Sequence, residues 1–375
     1  MSDAPPLPPL AAIPPDLRTL ADYERRARAH MAPASWAWLQ EGDGDGLTLA
    51  DNRAAFDRLR LLPRVLRDLR AGSAETTLLG RRLAAPILLA PVAYQRVAHP
   101  EGELASVRAA TAMGVGMAVS TIASVTLEEI AAARTAAVRE LGTAPAPFWF
   151  QLYAQPERAQ TLALVRRAEA AGYEAIMVTV DAAIKRSSFA LPPGVEAANL
   201  RGIAALRQTA GAMGRILLGT PLADAALRWE DIAWLRAQTR LPLLLKGIAA
   251  PDDAALAIEH GVDGLVISNH GGRVLDGMPA AIDLLPGIAA RVAGRVPLLL
   301  DGGVRRGSDV AKALALGASA VLIGRPQLHA LAVAGLPGLA HALLILRTDL
   351  EQVMAQLGCA QVADIGPDRL FDPVR

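Results

Sequence analysis

The chain has 375 residues, of which 52% are hydrophobic and 20% are charged, so its length allows one large α/β barrel or two ordinary domains. Its formal net charge of +1 gives no indication of a nucleic-acid or membrane-surface partner. A single cysteine excludes an internal disulfide, and without a signal-peptide pattern or a run of about 18 apolar residues we expect a cytoplasmic protein with no membrane span.

The beginning of the chain predicts an extension ahead of the main domain. Residues 1–17 are rich in proline and predict an extended arm, and a helical pattern follows from Leu20 to Leu39. The acidic segment Glu41–Gly46 predicts a loop, and it does not meet the residue pattern of a calcium-binding loop. We therefore expect an N-terminal arm and helical extension at residues 1–80 and a barrel domain at residues 81–375.

Short apolar runs, each typical of a buried strand, then alternate with stretches of helical period. The runs are Pro86–Ala90, Gly114–Ser120, Pro147–Tyr153, Glu174–Asp181, Pro242–Gly247, Gly264–Asn269, Pro297–Gly302 and Ala320–Arg325. Helical stretches include Thr126–Arg139, Pro156–Ala171 and Pro251–His260. This alternation predicts an α/β fold, a (β/α)8 TIM barrel. An open doubly wound sheet is the alternative, and the lack of G-x-G-x-x-G after an early strand counts against a dinucleotide fold.

The segment between the fourth and fifth predicted strands, Ala182 to Leu241, is longer than a plain crossover. Part of it, Ile203 to Leu218, is compatible with a helix. Long insertions at this end of a barrel usually form lids or binding loops.

Polar residues occur at nearly every predicted strand end, where barrel enzymes place their active sites. They are Ser120, Thr121, Gln151, Tyr153, Thr179, Asp181, Lys246, Ser268, His270, Asp301, Gly324 and Arg325. Any one of them is more often an ordinary strand-end residue, but a set covering most strands indicates a site.

The stretch Val266–Met278 carries a candidate base and a candidate anion clamp. His270 can act as a base near neutral pH, and the planar guanidinium of Arg273 fits a carboxylate. The glycines between them, Gly271 and Gly272, would let a ligand approach the backbone. This predicts proton abstraction from a small acid, although a histidine that merely caps a turn is the more common case.

Glycines and arginines follow the last two predicted strands, in the usual phosphate-binding position of barrels. They are Asp301, Gly302, Gly303 and Arg305 in D-G-G-V-R, and Gly324 and Arg325 in I-G-R-P. A phosphate pocket beside a base and an arginine predicts a phosphorylated cofactor, and flavin mononucleotide (FMN) suits it. Lys246 would stabilise the reduced ring, with a structural ion pair as the alternative.

With these motifs the chain resembles the FMN-dependent 2-hydroxy-acid oxidase and dehydrogenase family, which includes glycolate oxidase, lactate oxidase and mandelate dehydrogenase. The resemblance runs from about Trp36 to the C-terminus, and its most specific motif is S-N-H-G-G-R-x-L-D at Ser268–Asp276. The supporting motifs are A-P-V-A and A-H-P-E-G-E between Ala90 and Glu103, F-Q-L-Y at Phe150–Tyr153, T-V-D at Thr179–Asp181, L-L-K-G at Leu244–Gly247, D-G-G-V-R-R-G at Asp301–Gly307 and I-G-R-P at Ile323–Pro326.

The resemblance implies oxidation of an L-2-hydroxy acid to the 2-oxo acid with reduction of FMN. It implies that His270 is the base, Arg273 binds the carboxylate, and Asp181 pairs with the imidazolium. Tyr153 would hydrogen-bond the substrate, and Lys246 would support the reduced flavin. The residues that would hold FMN are Pro91, Val92, Ala93, Ser120, Gln151, Thr179, Lys246, Ser268, Asp301, Gly302, Gly303, Arg305, Gly324 and Arg325. No metal is expected.

Three positions depart from the family pattern and affect the expected substrate. Trp38 stands where the family has a carboxylate-binding tyrosine, and Ser188 stands where it usually has an arginine, with Lys185 nearby. Ile122 occupies a substrate-pocket position that is often aromatic. The alternatives are another FMN barrel enzyme, such as isopentenyl diphosphate isomerase, and a flavin-binding protein with reduced turnover.

The resemblance leaves the electron acceptor open between oxygen and a quinone. No haem domain precedes the barrel in this sequence, which argues against a flavocytochrome. The family is often tetrameric, so we expect a homo-oligomer.

Overall fold

The structure is a computed structural model and describes residues 5–182, 189–203 and 226–372. Three helices form the N-terminal extension: α1 (Leu20–His30), α2 (Pro33–Gln40) and α3 (Leu47–Arg58). The continuous helical pattern predicted from Leu20 to Leu39 is wrong, because Met31 is extended and ends α1. Pro33 then begins α2, at a position where its missing N–H costs no hydrogen bond.

A short antiparallel hairpin, β1 (Thr76–Leu78) and β2 (Arg81–Leu83), follows the extension. It crosses residue 80, where the sequence analysis divides the chain. That division stays a prediction.

Eight parallel strands close into a barrel, which confirms the predicted fold. They are β3 (Ile87–Leu89), β4 (Gly116–Ser120), β5 (Phe148–Leu152), β6 (Ala175–Thr179), β7 (Leu243–Ile248), β8 (Gly264–Ile267), β9 (Leu298–Leu300) and β10 (Ala320–Ile323). Each strand pairs with the next, and β10 closes the ring on β3, where Val321 pairs with Ile87. Seven of the eight predicted runs contain a barrel strand, each longer than the strand itself, and β7 extends one residue beyond its run, to Ile248.

Helices cover the outside of the barrel. In the described part of the chain they are α4 (Glu103–Met113), α5 (Leu127–Leu141), α6 (Arg158–Ala170), α7 (Trp229–Gln238), α8 (Pro251–Glu259), α9 (Ala281–Val292), α10 (Gly307–Ala315) and α11 (Arg325–Leu357). The predicted helical stretches correspond to α5, α6 and α8. The helix considered for Ile203–Leu218 lies outside the described residues, apart from Ile203 itself.

The barrel interior is packed rather than hollow. One face of the strands points inward and supplies a buried cluster that includes Leu88, Trp149, Met177, Leu244 and Val266. The alternate side chains point outward and pack against the helices. The polar residues at the strand ends therefore lie above a tightly packed apolar interior, which fixes their positions.

Helix α11 is long and apolar enough, with 33 residues, to cross a membrane by length and composition alone. Within its most apolar window, 67% is buried inside the protein, where the helix packs against α1, α4 and α10. The helix is also interrupted, because Ala334 and Gly335 have non-helical backbone angles. These contacts are those of a core helix.

Candidate active site

His270 lies on the loop after β8, at the carboxyl end of the barrel. Its Nδ1 lies 2.9 Å from the Oδ1 of Asp181, and its Nε2 lies 3.4 Å from the hydroxyl of Tyr153. Because a carboxylate can only accept a hydrogen bond, Nδ1 carries the hydrogen and Nε2 keeps a lone pair. His270 has a φ of 57°, a left-handed conformation that is uncommon outside glycine and concentrates at functional sites.

Asp181 comes two residues after β6 and reaches His270 by passing close to β7. A Cβ on Gly247 would lie only 2.4 Å from the Cβ of Asp181, so this approach requires glycine. Burial raises the pKa of the Asp181 carboxyl, but the charges of His270 and Lys246, together with hydrogen bonds to the carboxylate, outweigh burial and hold the pKa below its usual value. Asp181 is therefore ionised beside His270 at neutral pH.

Lys246 forms part of the floor between β7 and β9. Its Nζ donates to the Oγ of Ser268 at 2.9 Å and lies 3.1 Å from the Oδ2 of Asp301. Burial lowers the pKa of Lys246, but the carboxylates of Asp301 and Asp181 outweigh burial and raise it. The ion pair that was the alternative role of Lys246 is present, and it leaves a buried, fixed cation near the base.

Arg273 is anchored at one end of its guanidinium. Its Nη1 donates to the carbonyl oxygens of Trp38 at 2.8 Å and Glu41 at 2.9 Å, near the end of α2. Its Nε and Nη2 have no hydrogen-bond partner among the residues that the structure describes, so one edge of the fork is left for an anion. Burial lowers the pKa of Arg273, and a bound carboxylate would offset the cost of burying this cation.

The buried side-chain amide of Gln151 connects the ends of three strands by hydrogen bonds. The Nε2 of Gln151 donates to the Oγ1 of Thr179 at 2.9 Å, and its Oε1 accepts from the Oγ of Ser120 at 3.2 Å. The structure thus brings together the polar residues predicted at the ends of β4, β5 and β6.

Two further arginines lie at the carboxyl ends of β9 and β10. The Nη1 of Arg305 donates to the carbonyl of Val304 at 3.0 Å, and its Nε lies 3.7 Å from the carboxylate of Glu24. Arg325 is the first residue of α11 rather than the end of the last strand, so that predicted boundary is wrong. Its three guanidinium nitrogens donate to the backbone carbonyls of Leu39, Gly271 and Glu41.

The arginines form a concentration of buried positive charge. Burial and the charges of Arg273 and Arg305 lower the pKa of Arg325 to about 9. Burial likewise lowers the pKa of Arg305. Burial, reinforced by the charges of Arg305 and Arg325, holds the pKa of His329 well below its usual value. An anion fits among these groups because it would offset their repulsion.

The paired glycines of the two loops face the protein's own backbone. A Cβ on Gly303 would lie 2.0 Å from the carbonyl oxygen of Asn52, and a Cβ on Gly272 would lie 2.6 Å from the backbone nitrogen of Leu49. Both glycines pack against α3 and have a positive φ, so the close helix and the backbone conformation account for the need for glycine. Gly324 differs, because the nearest atom to a Cβ there would be the Cγ2 of Val92 at 3.8 Å.

Comparison with known proteins identifies the family. The sequence profile described as FMN-dependent dehydrogenase matches residues 27–372. The chain belongs to this family.

Its relatives in the FMN-dependent dehydrogenase family include named oxidases. The chain is 48% identical to an L-lactate oxidase from Alicycliphilus denitrificans, over 96% of this chain and 98% of the relative. It is 46% identical to a 4-hydroxymandelate oxidase from Amycolatopsis orientalis, over 92% and 95% of the two chains. A solved structure of mandelate oxidase with benzoyl-formic acid matches with a TM-score of 0.83 at 42% identity, covering 94% of this chain and 98% of that one.

These similarities confirm the predicted family, the enzymatic activity and the cofactor. The protein is an FMN-dependent enzyme that oxidises 2-hydroxy acids. The relatives do not support the isomerase or the non-catalytic protein that the sequence left as alternatives.

The residues of this FMN-dependent dehydrogenase fit a flavin phosphate and ring. Buried cations at Arg305, Arg325 and Lys246 supply positive charge, and the free space at Gly324 lies beside Val92 in the Pro91–Ala93 segment. The Oδ1 of Asp301 is buried without a hydrogen-bond partner among the described residues, which is typical of a site that a ligand completes.

An apolar wall stands beside Arg273. The ring of Trp38 stacks on Phe189, with centroids 5.0 Å apart, and lies 6.2 Å from the ring of Tyr94. Ile122 is buried next to them, and its carbonyl accepts the N–H of Tyr94 at 3.1 Å. Lys185 and Ser188 lie outside the described residues.

Two residues of this wall, Tyr94 and Phe189, were not predicted from the sequence. Tyr94 directly follows the A-P-V-A motif, and in a chain with only 4% aromatic residues that position was an available signal. Phe189 gives no comparable signal, because only the fold brings it to Trp38.

Proposed function

We propose that His270 is the catalytic base of this enzyme. The observation that supports the proposal is the pair of contacts that the His270 ring makes, through Nδ1 with Asp181 and through Nε2 with Tyr153. The contact with Asp181 leaves Nε2 unprotonated, and Nε2 faces the side of the site where Tyr153 lies. As the imidazole takes a proton from the substrate, the ionised carboxylate of Asp181 stabilises the imidazolium.

Arg273 and Tyr153 orient the substrate in this proposal. The free edge of Arg273 binds the carboxylate, and its anchored Nη1 keeps that edge in place. Burial, reinforced by the charge of Asp181, raises the pKa of Tyr153, so its hydroxyl stays protonated and donates a hydrogen bond. Trp38 and Ile122 line the substrate side chain. Because Trp38 stands where the family has a tyrosine, this position offers no phenol to the carboxylate.

FMN, when bound, accepts the two electrons that convert the 2-hydroxy acid to the 2-oxo acid. We propose that Lys246 would lie beside the flavin and supply positive charge that stabilises added electron density there. The ring-edge and backbone contacts come from Pro91, Val92, Ala93, Ser120, Gln151, Thr179 and Ser268. The side chains of Arg305 and Arg325 and the peptide N–H groups at Gly302, Gly303 and Gly324 would hold the phosphate. The unpartnered carboxylate oxygen of Asp301 would accept a hydrogen bond from another part of FMN.

The substrate class we favour is an L-2-hydroxy acid with an apolar side chain. The stacked pair Trp38 and Phe189, with Tyr94 and Ile122, presents apolar surface beside the carboxylate clamp. The relatives that are named lactate and hydroxymandelate oxidases support an apolar side chain and favour oxygen as acceptor, with a quinone as the alternative.

We also propose that the protein is a homo-oligomer, tetrameric by family resemblance, and that it is located in the cytoplasm.

Anaerobic mixing with a panel of 2-hydroxy acids tests this function. We expect the flavin absorbance to bleach with L-lactate or L-mandelate, and slowly or not at all with the D-enantiomers and glycolate. In His270→Asn the bleaching should slow by about 10²–10⁴-fold, the range for general-base catalysis. Asparagine suits this position because it tolerates a positive φ. Admitting air after bleaching shows whether oxygen reoxidises the flavin.

The matched control is His260→Asn, because His260 stacks on Trp229 on the outer helices and should leave bleaching unchanged. Bleaching of His270→Asn at the wild-type rate would contradict the assignment of the base. A wild-type enzyme that holds FMN but is bleached by none of the acids would contradict the substrate class.

A further inference from the structure

Helix α3 contacts both loops that carry the proposed chemistry. Asn52 and Asn269 form a reciprocal pair, in which each side-chain amide donates to the other at 2.9 Å. Asn269 directly precedes His270 in the chain. On the other side, the backbone of α3 fills the space beside Gly303. One helix of the N-terminal extension therefore packs against the base-bearing loop and the loop after β9.

Arg53 extends this contact into the loop after β9. Its Nη1 donates to the carbonyl oxygen of Gly303 at 2.5 Å and to the Oδ2 of Asp309 at 2.6 Å, and its Nη2 donates to Oδ1 of Asp309 at 3.2 Å. The described peptide bonds are trans, so the N–H of Val304 points away from Arg53 when the Gly303 carbonyl points toward it.

Asp309 links Arg53 to the next residues of the turn. Its side chain is fully buried, and its Oδ2 accepts the backbone N–H groups of Arg305 at 2.9 Å and Arg306 at 3.0 Å. A buried carboxylate needs a cation, and Arg53 provides it. Arg53 thus fixes the direction of the Gly303 peptide and, through Asp309, the backbone of Arg305.

We propose that Arg53 is a positioning residue for the FMN phosphate. It orders the turn from Gly302 to Arg306 so that the peptide N–H groups that do not donate to Asp309 and the Arg305 side chain meet the phosphate together. This inference rests on the proposed function, which places the phosphate at that turn. Arg53 does not itself touch the cofactor in this scheme, and it acts through the Gly303 carbonyl and Asp309.

Riboflavin provides the decisive comparison, because it has the same ring as FMN and lacks the phosphate. A residue that orders the phosphate-binding turn should affect FMN affinity much more than riboflavin affinity. A residue that only stabilises the fold should weaken both ligands alike. The quantity to measure is the ratio of the riboflavin Kd to the FMN Kd for apoprotein, from quenching of flavin fluorescence.

Arg53→Met and Arg53→Lys are the test variants, and Arg58→Met is the matched control. Arg58 lies on the same helix but pairs at the surface with Asp51 at 2.7 Å and Asp283 at 2.6 Å. We expect the Kd ratio to fall about tenfold in Arg53→Met, as for the loss of one or two charge-assisted hydrogen bonds, and to stay unchanged in Arg58→Met.

Arg53→Lys separates positioning from charge and is also the variant more certain to fold. Lysine keeps the positive charge but lacks the planar fork that bonds the Gly303 carbonyl and both oxygens of Asp309. We expect its ratio to fall at least about threefold, as for a partial loss of these bonds. A ratio equal to wild type in Arg53→Lys would overturn the inference, because charge alone would then explain the loss in Arg53→Met.

An equal loss of affinity for FMN and for riboflavin in both variants would also overturn the inference, since Arg53 would then only support the fold. If wild-type apoprotein itself binds the two flavins equally, the proposed phosphate turn is wrong and the inference falls with it. A wild-type preference for FMN that survives in both variants overturns the inference alone.

Discussion

Asp181 determines how His270 behaves, although it need not touch the substrate. Its carboxylate selects the tautomer that leaves Nε2 unprotonated, as the proposed base requires, and it would supply the negative charge beside the imidazolium. Its own pKa lies below the usual value because the charges of His270 and Lys246 outweigh its burial. The carboxylate is therefore present across the pH range in which a histidine changes its charge.

Replacing Asp181 by asparagine should change the pH profile as well as the rate. The base must be neutral, so kcat/KM falls as the pH drops and His270 takes up a proton. Without the carboxylate the imidazolium loses its partner, and this acid limb should move to lower pH. The maximal kcat/KM should fall by about 100-fold or more.

The measurement is kcat/KM against pH for wild type and Asp181→Asn, with Asp252→Asn as an exposed carboxylate control. Asp252 lies in the first turn of α8 and should give the wild-type profile. An acid limb that stays in place or moves to higher pH in Asp181→Asn would show that this carboxylate does not stabilise the imidazolium.

Strand β7 leaves room for Asp181, which follows β6 in the chain. Its register with β8 is irregular between Lys246 and Ile248, and Gly247 at that point has a φ of 109°. Lys246 points inward by the ordinary alternation of the strand, as Leu244 does, and the absent side chain of Gly247 leaves room for Asp181. Adjacent residues of one strand thus supply a cation and the space for the partner of the proposed base.

Gly247→Ala should therefore damage the site more than an ordinary glycine substitution. Gly172→Ala is the matched control, because Gly172 also has a positive φ, of 83°, but has nothing within 4 Å of a new Cβ. Both variants should lose about 1–3 kcal/mol of stability from the strained backbone.

Only Gly247→Ala should also lose kcat/KM, by about 100-fold, as Asp181 is displaced from the base. Thermal unfolding and steady-state kinetics distinguish the two effects. Equal kcat/KM in the two variants would contradict the link between β7 and Asp181.

Much of this arrangement follows from local sequence signals. The eight apolar runs predicted the barrel strands, and polar residues at their ends predicted the floor of the site, because strand ends in a parallel barrel converge. The packing of α3 against Gly272 and Gly303 could not be predicted. It depends on contacts between residues more than 200 positions apart, and the sequence offers equally good reasons for a glycine beside a ligand.

The same limit applies to the boundary between α1 and α2. The apolar spacing continues through Met31 and Ala32, so periodicity alone gave one helix. Pro33 was the available signal for a new start, because proline is favoured in the first turn.

In the molecule as a whole, positive charge is concentrated on one side of the site. Arg273, Arg305 and Arg325 are all largely buried, and burial and mutual repulsion lower the pKa of Arg325 to about 9. A buried cation with a lowered pKa destabilises the folded state below that pKa, since unfolding would release the cation to water. The apoprotein should therefore be stabilised by an anion at this position.

FMN should raise the Tm of the apoprotein, and inorganic phosphate should do so to a smaller degree. With FMN at about 100 times its Kd, the expected gain is about 2.7 kcal/mol. Chloride at equal ionic strength is the control for general screening, and Arg325→Met should reduce the effect of phosphate. A Tm that responds equally to phosphate and chloride would contradict a specific anion site.

The end of α2 has a consequence for protein engineering. Carbonyls between Trp38 and Glu41 hold Arg273 and Arg325, and α3 follows directly with its own contacts to both loops. A chimera that combined this barrel with the extension of a relative would change the supports of both arginines, even with every barrel residue kept. Exchange of substrate preference between family members should therefore transfer residues 33–58 together with the barrel loops.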